Sequence, residues 1–187
     1  MLNPELTETI TDAVLDELSK QGYGRLSMER VARRAGVGKS ALYRRWPTKL
    51  AMVIDVLSRL CVPAAPSPDT GSLRSDIRAM LQAALEWMTE PRLRGILPDL
   101  LAEYGRNPEL AAASAKYLGE PRRAWAVLAL DRAVDRGELP TDVNRGLIID
   151  LLIGPTFWRL TTQGGAVMPA YLDELTDLLV RGITRGH

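Results

Sequence analysis

Apolar residues recur at every third or fourth position along almost the whole chain, which is the period of a helix with one buried face. The first such stripe, formed by Leu6, Ile10, Val14 and Leu18, predicts a helix over about 4–21. Similar stripes predict further helices over about 28–35, 38–45, 48–60, 73–90, 91–105, 108–118, 143–163 and from 169 onward. The alternating pattern of a strand does not occur, so the predicted fold class is all-α.

Capping residues and prolines mark where these helices begin, end or bend. Side chains able to cap a helix start are Ser27, Thr48, Ser72, Asn107 and either Thr141 or Asp142. Glycines are expected to end two of the helices, Gly36 the one over 28–35 and Gly164-Gly165 the one over 143–163. Three positions are expected to break or bend a helix: Pro98, Pro121 and Gly154-Pro155. The helix that begins at 108 either ends near 118 or continues with a kink at Pro121 as far as Gly137.

A change of composition divides the chain. The stretch VPAAPSPDTGS, residues 62–72, holds three prolines and a glycine and is typical of a linker or an exposed connection. We therefore expect a small domain over 1–60, whose fourth helix (48–60) connects onward, and a larger helical domain over 61–187.

The charge is unevenly distributed, although the net charge is only +1. Residues 20–49 hold nine basic residues against one acid, a local net charge of +8. Such a concentration is typical of a protein that binds a polyanion, the alternative being a basic face exposed only to solvent.

The residue inventory argues against several other classes. With one cysteine, Cys61, and one histidine, the terminal His187, a metal site of several His and Cys ligands or a His-dependent catalytic triad is not expected. No apolar run is long enough for a membrane span, and the acidic N-terminus MLNPELTETITDAV predicts no secretory signal. We expect a cytoplasmic protein without a metal or cofactor.

The stretch AGVGKSALYRRW, residues 35–46, allows two interpretations. Its Gly38-Lys39-Ser40 resembles the end of a phosphate-binding P-loop, but the earlier glycine of that motif falls at Arg33 and the preceding segment is helical rather than a strand. Two short helices joined by a turn with a glycine, beneath a cluster of positive charge, instead indicate a helix-turn-helix.

A helix-turn-helix would direct its second helix into the major groove of DNA. Lys39, Ser40, Ala41 and Arg44 would face outward, with Arg44 able to pair with a guanine and the Ala41 methyl able to contact a thymine methyl. Tyr43 and the flanking basic residues would contact phosphates, which fix register rather than sequence.

The stretch from Gly22-Tyr23 through residue 57 resembles the TetR-type transcriptional regulators. The matching elements are Val31-Ala32, Ala35-Gly36-Val37, Leu42-Tyr43, an aromatic at Trp46 and the lysine at Lys49. By this resemblance Tyr43 and Lys49 contact DNA phosphates.

The chain departs from the family pattern at three positions. At Gly38 relatives have a capping Ser, and Ala41 removes a hydroxyl. At Trp46 a Trp replaces the usual Phe, and we expect it to be a hydrophobic plug. The predicted DNA-binding residues are Arg25, Ser27, Lys39, Ser40, Ala41, Tyr43, Arg44, Arg45, Thr48 and Lys49.

The resemblance implies that the C-terminal half binds a small molecule and forms a homodimer. Aromatic residues and methionines spread over several helices could line a pocket for a mainly apolar effector, or could simply fill the core. The predicted ligand-binding residues are Trp87, Met88, Tyr104, Trp125, Phe157, Trp158 and Thr161, with Gln82 as a further polar group. Two apolar helices offer a dimer surface unless they are buried within one subunit, and its predicted residues are Leu147, Leu151, Trp158, Leu175, Leu178 and Leu179.

Taken together, these patterns predict a ligand-responsive homodimeric repressor. It would bind a palindromic operator and release it when the effector binds. The alternative is a helical enzyme or small-molecule carrier with a basic N-terminal segment, for which the sequence shows no catalytic constellation.

Overall fold

A computed structural model of the protein describes residues 4–62, 65–162 and 167–184, and every regular element in these ranges is helical. The helices are α1 (Pro4–Arg25), α2 (Met28–Arg34), α3 (Lys39–Arg45), α4 (Lys49–Cys61), α5 (Leu73–Thr89), α6 (Pro91–Arg94), α7 (Leu97–Tyr104), α8 (Pro108–Ser114), α9 (Glu120–Asp135), α10 (Arg145–Thr161) and α11 (Pro169–Thr184). A π-helical stretch, Ala115–Gly119, joins α8 to α9. The all-α prediction is confirmed. Within the described ranges no helix combines the length and the apolar character needed to cross a bilayer.

Most of the predicted helix starts are confirmed by their capping bonds. The side chains of Ser27, Thr48 and Asn107 each accept a hydrogen bond from a backbone N–H in the first turn of the following helix. The prediction for α10 is wrong, because Asn144 rather than Thr141 or Asp142 caps it, accepting from the Leu147 N–H at 3.0 Å. The chain is still turning at 143, where the N–H donates to the carbonyl of residue 140, so the helix begins later than its apolar pattern suggests.

The three prolines have different effects from one another. Pro98 lies in the first turn of α7, where a missing N–H costs nothing, and the break precedes it at residues 95–96. Pro121 follows the π-helical stretch, and the chain stays helical as far as Asp135, which is the longer of the two predicted alternatives.

The predicted interruption at Gly154-Pro155 is wrong, since α10 is continuous. The carbonyl deprived of a donor by Pro155 belongs to Leu151, an exposed residue. Gly164-Gly165 lies outside the described residues.

The described chain forms two compact units. The first contains the residues up to Val62 together with Glu90–Glu120, and the second contains Pro63–Thr89 together with the residues from Pro121 onward. In the first unit α1 packs against α2, α4, α6 and α7, and in the second unit α5 packs against α10 and α11. The helices α6, α7 and α8 therefore belong to the same unit as α1–α4.

The end of α1 is bent and held from two sides. Gly22 has φ 70° and ψ 171°, and the N–H of Tyr23 donates to Asp99 Oδ2 on α7 at 3.2 Å. On the other side, Lys49 Nζ at the start of α4 donates to the carbonyls of Tyr23 at 2.9 Å and Gly24 at 3.3 Å. A Cβ added to Gly22 would lie 2.7 Å from Asp99 Oδ2, so both its backbone conformation and its surroundings require glycine.

The substitution Gly22→Ala tests this constraint. We expect it to lower the free energy of unfolding by about 2–4 kcal/mol, because it combines a left-handed backbone conformation with a steric clash. Gly24→Ala is the matched control, since a Cβ there would lie 3.8 Å from its nearest neighbour, Glu103 Oε1, and should change stability far less. Urea unfolding of the two variants measures the difference, and equal midpoints would show that the bend is not constrained.

Candidate nucleic-acid interface

A tight turn joins α2 to α3. Gly36 has φ 66°, its N–H donates to the Arg33 carbonyl at 3.3 Å, and the Val37 N–H donates to the Ala32 carbonyl at 2.9 Å. This pair of bonds is a Schellman motif, which requires a residue with positive φ and explains the glycine. Ala32 is small and buried, as is Ala35, so the two helices can approach closely while Leu42 fills the space beneath α3.

The exposed face of α3 carries the side chains predicted to read DNA. Lys39, Ser40, Tyr43 and Arg44 are exposed, Ala41 is half-buried, and Leu42 is fully buried. A short helix anchored by one apolar side chain, with polar and cationic side chains outward, suits insertion into a major groove.

The predicted phosphate contacts around α3 differ in what they already bind. Arg25 is exposed and Arg45 is half-buried, with its guanidinium 4.6 Å from the centre of the Trp46 ring. Ser27 and Thr48 use their hydroxyls as helix caps, accepting from backbone N–H groups at 3.4 Å and 3.0 Å.

Lys49 is the predicted phosphate contact that is most engaged within its own chain. It is half-buried, its ammonium bonds the carbonyls of Tyr23 and Gly24, and it lies 4.4 Å from the centre of the Tyr23 ring. Burial lowers the pKa of Lys49. In this conformation Lys49 therefore holds the end of α1.

Trp46 directly follows α3 and is buried, as predicted for a hydrophobic plug. Its indole Nε1 donates to Asp55 Oδ2 at 3.0 Å. The aromatic position thus links the end of α3 to α4, and its polar atom is satisfied.

Ion pairs neutralise part of the basic stretch. Arg30 Nε lies 2.7 Å from Glu17 Oε2, Arg34 Nη1 lies 2.6 Å from Asp16 Oδ2, and Lys20 pairs with the same aspartate at 3.2 Å. The acidic residues of α1 therefore neutralise the cations on the side of α2 that faces it, and the local charge of +8 overstates the positive charge available at α3.

Glu29, which is not among the predicted site residues, lies in the first turn of α2 at the edge of this face. Its Oε1 is 2.7 Å from Lys39 Nζ and its Oε2 accepts from the Ser27 hydroxyl at 3.0 Å. The bond from Lys39, with smaller contributions from its backbone and Ser27, lowers the pKa of Glu29 to about 2. Its one visible signal in the sequence is that it is the single acid within residues 20–49.

The predicted ligand-binding residues are distributed over the two units. Tyr104 belongs to the first unit, where burial raises its pKa, and the other six belong to the second unit. Met88 is buried, Trp87, Trp125 and Phe157 are half-buried, and Trp158 and Thr161 are exposed. Three predicted polar groups are already bonded: Trp125 Nε1 to the Ala65 carbonyl, Thr161 Oγ1 to the Phe157 carbonyl, and the Gln82 amide to Arg78 and Glu86.

A cleft of about 450 Å³ lies elsewhere, on the surface of the first unit. It is lined by Thr9, Asp12, Leu15, Asp16, Arg34 and Arg92, which include none of the predicted ligand-binding residues. Its charged lining does not match the apolar effector that the sequence suggested.

Four of the six predicted dimer residues form exposed apolar surface. On α10 these are Leu147, Leu151 and Trp158, of which Trp158 is 60% exposed, and on α11 it is Leu178, which is 65% exposed. Leu175 is half-buried, and Leu179 is buried in the core of the second unit. Leu179 therefore packs within its own chain and leaves the outer face to the other residues.

The geometry defines a DNA-binding protein of the helix-turn-helix class. Residues 10–56 match the family described as "Bacterial regulatory proteins, tetR family", and residues 67–179 match "Tetracyclin repressor-like, C-terminal domain". Because the second match alone spans more than half of the chain, the protein belongs to the TetR family of transcriptional regulators.

Individual relatives agree with this assignment. The chain is 32% identical over 164 residues to the DNA-binding transcriptional repressor TetR of Mycobacteroides abscessus, covering 87% of this chain and 85% of that one. It is 28% identical over 176 residues to the HTH-type regulator YdeS of Bacillus subtilis, covering 94% and 88%. The crystal structure of the TetR family regulator SCO0332 superimposes with a TM-score of 0.70 at 31% identity, covering 96% and 98%. Salmonella enterica GusR, at 19% identity, shares the fold with a TM-score of 0.77 over 99% and 98% of the two chains.

The N-cap position of α3 offers a stability prediction. Gly38 has φ −66° and ψ 137°, makes no side-chain cap, and would place a Cβ in open space. A serine fits this conformation, so we expect Gly38→Ser to raise the free energy of unfolding by about 0.2–0.5 kcal/mol through the new cap.

Gly36→Ser is the control for that measurement. The same residue is introduced two positions earlier, where φ is 66°, and should destabilise the protein by about 1 kcal/mol or more. Both are measured by urea unfolding, and a loss of stability in Gly38→Ser would contradict the capping geometry.

Proposed function

We propose that the protein is a cytoplasmic homodimeric repressor that binds a palindromic operator through α3 and releases it when a small, mainly apolar effector binds the C-terminal half. The observation that carries the proposal is the exposed polar and basic face of α3, held in place by the buried Leu42. The description of the M. abscessus relative as a repressor supports the direction of the effect.

Operator reading is assigned to three exposed side chains of α3. Arg44 can give two parallel hydrogen bonds to the edge of a guanine, and Ser40 can bond a base or a phosphate. Lys39 lies at the first position of α3, where a phosphate of the backbone is the natural partner. Ala41 adds only a methyl group, so its contribution is limited to apolar contact with a thymine.

The homodimer rests on the exposed apolar face of α10. Leu147, Leu151 and Trp158 are spaced by four and seven residues, which places them on one side of a helix. Large apolar side chains exposed together on a face are typical of a subunit interface, and a two-fold axis would bring the same face of a second chain against it. Such a dimer presents two α3 helices to half-sites one helical turn apart or a multiple of it.

The effector site is assigned to the second unit, on two buried polar atoms. Trp87 Nε1 and Thr156 Oγ1 have no hydrogen-bond partner among the described residues, although buried polar atoms are normally bonded. A mostly apolar molecule with one or two polar groups would satisfy them. Its binding would favour a conformation whose two α3 helices no longer match the groove, which is a shift of population between states.

DNA binding is tested by fluorescence anisotropy on duplexes from the DNA that flanks the protein's own coding sequence. We expect salt-dependent binding, and we expect Arg44→Ala to weaken it by about 10-fold or more, because a bidentate contact to a guanine contributes about 1–3 kcal/mol of discrimination. Arg74→Ala, which removes an exposed arginine from α5, is the matched control and should leave affinity unchanged. Absence of salt-dependent binding on that DNA and on genomic fragments would contradict the proposal.

The dimer is tested by sedimentation at micromolar concentration. We expect the wild-type chain to sediment at twice its mass of 20.6 kDa and Leu151→Arg to sediment as a monomer, because a charge cannot be buried in an apolar interface without a partner. Leu101→Arg, a similarly exposed leucine on α7, is the control and should remain dimeric. A wild-type species of 20.6 kDa would rule the dimer out.

A further inference from the structure

Three hydrogen-bond donors converge on the carboxylate of Glu29. Lys39 Nζ lies 2.7 Å from Oε1, the Ser27 hydroxyl donates to Oε2 at 3.0 Å, and the Tyr43 hydroxyl lies 3.5 Å from Oε1. The ammonium of Lys39 is also 5.6 Å from the centre of the Tyr43 ring. A residue preceding α2 and two residues of α3 are thus organised around one anion.

This donor set is the chemistry that binds a phosphate. A cation and two hydroxyls are the usual partners of phosphate oxygens at protein–DNA interfaces. The pair is accessible, since the side chain of Glu29 is 52% exposed and that of Lys39 is 59% exposed, so a phosphate can reach and replace the carboxylate.

We propose that Glu29 is an internal competitor for a DNA phosphate, occupying in the free protein the position that the phosphate takes in the complex. The inference rests on the proposed binding of DNA through α3. Glu29 keeps Lys39 and Tyr43 oriented before DNA arrives, and it lowers the affinity for any DNA that offers only its backbone. Glu29 is thereby a specificity-determining residue, since operator contacts made by other side chains are unaffected by it.

The consequence can be read in the salt dependence of binding. Each phosphate contact by Lys or Arg releases condensed cations and adds about 0.9 to the slope of log K against log salt. When Lys39 exchanges a carboxylate for a phosphate, it leaves Glu29 unpaired beside the DNA, where that carboxylate retains a cation. In the wild-type protein this contact therefore adds little to the slope of log K against log salt. In a variant without the carboxylate it adds the full increment.

The experiment measures binding of the full chain to a 20-base-pair duplex of random sequence by anisotropy over a series of salt concentrations. Glu29→Gln removes the charge while keeping an oxygen that can accept from Lys39 and Tyr43. We expect it to bind about 5- to 10-fold more tightly at ~0.1 M salt, with a slope steeper by about 0.9 and a difference that vanishes towards ~1 M salt. Glu29→Ala, measured in parallel, should also tighten binding.

Two controls separate competition from a general effect of charge. Glu86→Gln removes the same charge from α5 and should change the affinity by less than about twofold, as expected for the loss of one screened charge without a phosphate contact. In a Lys39→Gln background there is no ammonium to release, so Glu29→Gln should then have a similarly small effect.

Several outcomes would overturn the inference. With thermal unfolding confirming the fold, wild-type-like or weaker binding by Glu29→Gln and Glu29→Ala would do so. An equal effect of Glu29→Gln with and without Lys39 would also do so, because Glu29 would then act as a general charge. If neither the wild-type chain nor Glu29→Gln binds the duplex even at the lowest salt concentration, the proposed DNA-binding function fails and the inference fails with it. Binding by the wild type with an unchanged slope in the variants refutes the competition alone.

Discussion

Two backbone hydrogen bonds at the end of α2, from Gly36 and Val37 to carbonyls within that helix, fix the direction in which the chain enters α3. The turn is possible because Gly36 adopts a positive φ, and it is useful because Ala32 is small enough for the helices to meet over Leu42. The side chains assigned to base reading all project from this helix of only two turns. The orientation of these side chains therefore depends on the turn that precedes α3.

The net charge of the same face depends on its acidic residues as much as on its basic residues. Asp16 and Glu17 on α1 form ion pairs with arginines on one side of α2, and these pairs connect the two helices. The positive charge that remains is concentrated on α3, where Glu29 occupies one cation in the free protein. A protein that must find one operator in a long DNA benefits from a lower positive charge on this face. Nonspecific binding to DNA phosphates is almost entirely electrostatic, so a lower charge weakens it.

The sequence predicts what is decided locally and misses what depends on packing between distant segments. The helix-turn-helix could be predicted because its signals, such as Gly36 at the end of α2, act within a few residues. The partners of Lys49 could not, since they lie about 25 residues earlier and become neighbours only when α1 bends. In the C-terminal half, Trp158 is exposed and Leu179 is buried, although both lie in apolar stripes of similar appearance. Which face of such a helix meets the core depends on its neighbours, which the periodicity of one helix does not specify.

In the proposed homodimer, two copies of α3 read DNA across a two-fold axis. Selection of bound fragments from a pool of random-sequence DNA tests it directly, because the operator does not have to be known beforehand. We expect enrichment of an inverted repeat whose half-site centres lie about 10 base pairs apart, or a multiple of that spacing. Enrichment of single sites without two-fold symmetry, or no enrichment at all, would contradict it.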